Sequence, residues 1–184
     1  MGYKLFLVSV FFVLSGCSSN LINDIYKYTE SGNDETAQTA FIILSNMKLR
    51  EPDIEKIKSD YSGEADIARK FLYEYVLAKR TQEEQYVLSF IKSAERNFPI
   101  LLNNTSNWVS IGSPVLDQLS MYSYTDDDAL SVLLKLVLES DGANQSIVAS
   151  DLRDVYEVNP QRFLNVVKRM NLDVKSIMLL MEDE

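Results

Sequence analysis

Histidine is missing from all 184 residues, and cysteine occurs once, as Cys17. Without an imidazole the chain has no His-based acid–base catalyst, no Ser-His or Cys-His nucleophile pair and no His metal ligand. One cysteine cannot form an internal disulfide or a Cys-ligated zinc site. Proline (4) and glycine (6) are also scarce, which argues against a many-turned β protein and suits helices. Cations are outnumbered, with 18 Lys and Arg against 27 Asp and Glu. An acidic surface of this kind repels phosphate backbones, so nucleic acid is not an expected partner. Carboxylates, lysines, tyrosines and serines are what remains for chemistry.

Long apolar runs are absent except at the start. Leu5 to Leu14 is a ten-residue stretch with Ser9 its only polar member, preceded by Lys4 and followed by Ser15 and Gly16. At a helical rise it spans about 15 Å, roughly half the hydrocarbon thickness of a bilayer, which is too short for a membrane-spanning helix. The order of a cation, an apolar core and small residues reads as a secretory signal.

Leu14-Ser15-Gly16-Cys17 closes that segment and resembles the lipobox of bacterial lipoproteins. The resemblance covers the targeting segment alone. It implies a diacylglyceryl group on the Cys17 thiol and cleavage of the Gly16–Cys17 bond. The chemistry suits cysteine because a thiolate is a good nucleophile. Two or more acyl chains anchor a protein stably, at about 0.8 kcal/mol per buried methylene. Ser18 and Ser19 follow, with no Asp to retain the protein at an inner membrane, so the resemblance implies the outer membrane of a Gram-negative cell.

The expected organisation is therefore a signal peptide over 1–16, a lipidated Cys17 with its tether over 17–33, and a helical domain over 34–184. Loss of Lys4 with the signal leaves 17 basic and 27 acidic residues, a net charge of −10. Within the tether Leu21, Ile22, Ile25 and Tyr28 recur at helical spacing, which would let it dock as a short helix.

Helical periodicity dominates the rest. Ala37, Ala40, Phe41, Leu44 and Met47 share one face of a helix over 35–49. Pro52 suits the first turn of a short helix with Ile54 and Ile57 inward. A third helix runs from about Gly63 to Lys79, and Thr81-Gln-Glu-Glu84 reads as a capping box for the next, over 82–96. Asn97 to Gly112 reads as a loop holding the only tryptophan, Trp108. Helices then restart at Pro114, at Asp126-Asp127-Asp128, after Gly142 (expected as a C-terminal cap), at Asn159-Pro160 and near Val174. Ala129 to Leu138 is apolar nearly all round, so this helix belongs at the centre of the C-terminal half.

The fold class is all-α: one domain of about eight short amphipathic helices, arranged as a HEAT- or TPR-like hairpin array or as an irregular bundle. The aspartate triplet suits the positive end of the helix behind it better than a cation. No spacing singles out a catalytic, metal or cofactor-binding residue. Tyr73 is expected nearer the surface than Tyr75, since alternate neighbours cannot share a helix face. Tyr73 and Trp108 are thus the candidate partner contacts. The leading functional expectation is a non-enzymatic envelope lipoprotein, held to the membrane through Cys17, that binds or scaffolds another protein. A periplasmic inhibitor or immunity-type lipoprotein comes second, and a carboxylate-based envelope hydrolase third.

Overall fold

The computed structural model describes residues 21–103, 112–140 and 142–182, with backbone alone at 98–103 and 142–144. Every regular element among them is a helix. They are α1 (21–28), α2 (Asp34–Asn46), α3 (Glu51–Gly63), α4 (Ile67–Thr81), α5 (Glu84–Asn103), α6 (Ser113–Ser123), α7 (Asp127–Glu139), α8 (Gly142–Val158), α9 (Pro160–Arg169) and α10 (Val174–Glu182). The described residues thus form ten helices where the sequence pattern predicts about eight.

Side-chain caps fix several starts. Asn33 accepts from the Thr36 amide at 2.9 Å, Asp66 from Arg69 at 2.8 Å and Asn159 from Arg162 at 3.1 Å. Asp126 takes the amides of Asp128 and Ala129 at 2.9 and 2.8 Å, so the first carboxylate of the triplet caps α7. Each such bond satisfies an amide that the helix itself leaves orphaned.

Extensive packing joins helices one or two positions apart in the chain. Thus α4 lies against α2, α3 and α5, and α7 lies against α5, α6, α8 and α9. That is the wiring of a stacked helix array, although no sequence period accompanies it. In α7 Ala129, Leu130, Val132, Leu133, Leu134, Leu136 and Val137 are buried, as expected of a helix surrounded by others. Leu138 is the exception and is exposed.

Several boundaries differ from the sequence expectation, each for a local reason. Residues 21–33 are part of the folded body: Ile22, Tyr26 and Thr29 are buried, and Tyr26 donates to Asp60 Oδ2 on α3 at 2.6 Å. The helix behind Pro52 has 13 residues, more than the short one expected. Ala65 precedes α4 and is exposed. Thr81 forms no capping box; it ends α4 and donates back to Leu77 O at 2.8 Å, while Gln82 turns the chain in the left-handed region (φ 56°). Helix α5 continues through Pro99 to Asn103, into the stretch expected to be loop. Proline there forfeits one N–H while its φ stays helical. Gly142 begins α8, and Ser140 caps α7. Ile147 of α8 is exposed. None of the described helices is long and apolar enough to cross a membrane.

Candidate functional site

Helices α4 and α5 pack extensively against each other, and the first half of α4 and the middle of α5 border a cleft of about 550 Å³. One stripe of α4 faces it: Ile67, Lys70, Phe71 and Glu74, spaced i, i+3, i+4 and i+7. A stripe of α5 faces it from the other side: Ser89, Lys92, Ser93, Arg96 and Asn97, on the same spacing continued to i+8. Tyr61 of α3 closes one end. The apolar side of α5 (Phe90, Ile91, Ala94) points into the core and orients the polar stripe outward.

Charge is distributed unevenly in the cleft. Lys70, Lys92 and Arg96 make no ion pair with any described residue, in a chain whose net charge is −9. Lys70 lies over the Tyr61 ring, 5.2 Å from its centroid. At the base sits Glu74, only 4% exposed. Its Oε1 accepts from Ser89 Oγ at 2.7 Å and from Tyr61 Oη at 3.2 Å. Its Oε2 is equally buried and has no hydrogen-bond partner. Burial chiefly, and the nearby Glu74 charge, push the Tyr61 phenol above its ordinary pKa, so it stays a donor. The Ser93 carbonyl is already occupied by Asn97 Nδ2, at 3.0 Å.

Chemically the cleft is suited to holding a charged group. Three unpaired cations offer a place for an anionic group, and Arg96 can meet a carboxylate with two parallel N–H groups. The Ser89–Glu74 bond holds a hydroxyl in place but leaves its proton there, because a carboxylate is a far weaker base than an alkoxide.

A second depression, of about 420 Å³, runs between α1 and α2 and is lined by Ile25, Tyr28, Thr36, Thr39, Ala40 and Ile43. Tyr28 and Ile43 are both exposed along it.

Tyr73 is not a surface contact. It is buried, 4.8 Å from Phe41 in an edge-to-face pair, and its burial raises the phenol pKa. The alternation argument assumed that α4 has one free face. Phe71 to Ala78 are all buried because α2, α3 and α5 cover α4 from several sides. Tyr75 is buried as expected. Trp108, Gly16 and Cys17 lie outside the described residues. The cleft residues went unnoticed in the sequence, where the available signal was the polar i, i+3, i+4, i+7 stripe opposite the apolar face of α5.

Comparison with protein-family models, curated proteins and solved structures finds no match for this chain.

Proposed function

We propose that the chain is a non-enzymatic binding module of the cell envelope, tethered by lipid on Cys17 and engaging a protein partner through the α4–α5 cleft. The observation that carries this reading is the set of unpaired cations. Lys70, Lys92 and Arg96 converge on one concavity while the rest of the surface is dominated by carboxylates. Solvated cations scattered over a surface need no explanation, but three around one cleft, against the single lining carboxylate of Glu74 buried at its base, leave a local positive field at the rim. Within an acidic protein that field steers an anionic group to the cleft and away from other faces.

Two measurements test the two parts. Labelled palmitate enters the wild-type protein and does not enter Cys17→Ala; label persisting in the variant refutes the anchor. In envelopes cross-linked in vivo, a discrete adduct forms with the wild type and disappears with the Lys92→Glu/Arg96→Glu double variant. An adduct pattern unaffected by charge reversal rules out the cleft as the binding face.

A further inference from the structure

The α4–α5 cleft has two poles of opposite demand. Its rim carries Lys70, Lys92 and Arg96, which favour an anion. Its base holds Glu74, whose Oε2 is buried beneath the cleft surface and lacks a donor. A buried carboxylate oxygen with no partner is unfavourable and gains from any N–H or O–H brought to it. Lys70 stands one turn before Glu74 on α4, the spacing of a helical ion pair, yet its ammonium is over the Tyr61 ring and no bridge forms. No described residue meets the demand.

A simple anion such as phosphate matches the rim and is repelled by the base. A simple cation does the reverse. A group that combines a carboxylate with an N–H donor a few ångströms away satisfies both. The last residues of a peptide have this form: a free carboxylate, a backbone amide within one residue of it, and a side chain to lay on an apolar wall. Ile67, two-thirds exposed, supplies that wall, backed by Phe71. The volume of about 550 Å³ lies within the range of small-ligand sites and exceeds the needs of a single residue. Capture of a terminal carboxylate is also a recurrent mode of peptide recognition.

Resting on the reading of the cleft as the binding surface, we propose that its ligand is a peptide carboxyl terminus. The carboxylate sits between Arg96 and Lys92, a penultimate amide N–H donates to Glu74 Oε2, and the terminal side chain lies on Ile67.

The test uses ¹⁵N-labelled full-length chain in a maltoside micelle, titrated with N-acetyl-trialanine as the free acid and as its carboxyl-terminal amide. Inorganic phosphate and phosphoethanolamine serve as competing probes. The free acid gives saturable shifts at the amides of Lys70, Ser89, Lys92, Ser93 and Arg96, and the amidated peptide binds at least tenfold more weakly. Lys92→Glu/Arg96→Glu abolishes the shifts while resonances of α7 to α10 stay in place, which shows that the variant is folded. Glu74→Gln, which can still accept through its amide oxygen but loses the charge, weakens binding severalfold. Equal binding of acid and amide, or binding of phosphate or phosphoethanolamine in place of the peptide, overturns the peptide-terminus assignment and leaves the cleft as a binding surface. Absence of response to all four probes overturns both.

Discussion

Between α1 and α5 the interior is aromatic and threaded with hydroxyls: Tyr26, Phe41, Phe71, Tyr73, Tyr75 and Phe90 are all buried. Tyr26 bonds Asp60, Tyr61 and Ser89 bond Glu74, and Ser45 donates to Tyr75 Oη at 3.1 Å. From α6 to α10 the interior is mainly aliphatic, with Leu116, Leu119, Leu130, Leu133, Leu134, Leu152 and Val167 almost wholly covered and Phe163 the only buried ring. Polar work in this half is done by arginines that hold carbonyls. Arg162 donates to Ser123 O at 2.7 Å and Tyr124 O at 3.1 Å, and pairs with Asp127 at 2.7 Å. The contrast teaches a division of labour. Aliphatic side chains pack without directional demands, whereas tyrosines and a buried glutamate need partners; buried atoms without one occur in both halves, and in the first half one of them, on Glu74, belongs to a cleft-lining residue.

If the aliphatic half carries stability and the aromatic half carries recognition, the largest stability loss should come from α7. Leu133→Ala, at a fully buried position against several helices, should cost about 3 kcal/mol in chemical denaturation while free-acid peptide binding to the folded fraction is unchanged. A loss below about 1 kcal/mol would break the comparison.

Next in size is Asp151, on α8. Burial first, then the charges of Asp117 and Asp154, raise its pKa to about 6, and its Oδ2 is buried without a partner. A raised carboxyl pKa means the folded state holds the proton more tightly than the unfolded chain. The associated stability is full below about pH 4 and is lost as pH rises through about 6. Asp151→Asn should therefore stabilise the protein by about 1–2 kcal/mol at pH 7, after allowance for partial solvent screening, and confer no advantage below pH 4. Thermal melts across that range check it, and a pH-independent difference would show that ionisation is not the cause.

The smallest effect sharpens the other side of the contrast. Tyr26→Phe keeps the ring and deletes the hydroxyl that bonds Asp60 and Tyr73, so it should cost about 1 kcal/mol. Losing much more would mean that hydroxyl bonds, and not ring packing, hold α1 in place.

Much of the architecture was legible because single helices announce themselves. The apolar run of α7, the aspartates before it, and the prolines at 52, 114 and 160 each act within one turn of chain, where local rules decide. Helices were misplaced where a local rule met tertiary packing. Gly142 resembles a stop signal in isolation but starts α8, and Pro99 looks like a terminator yet α5 runs on from three well-packed turns. Tyr73 failed for the same reason, since no stretch of sequence tells that three neighbouring helices enclose α4. The cleft was hidden for a further one. Lys70 and Glu74 belong to one helix, Ser89, Lys92 and Arg96 to another, and neither set is unusual alone. Only the crossing of α4 and α5 brings them together.

Because no extensive packing among the described residues of α2 to α10 links helices more than two positions apart, damage there should stay where it is inflicted. A protease that nicks near Leu172 or a pull on α10 would strip α8 and α9 of cover while the α4–α5 pair keeps its grip. Such short-range wiring allows graceful failure, with the α10 end fraying before the α4–α5 pair is lost.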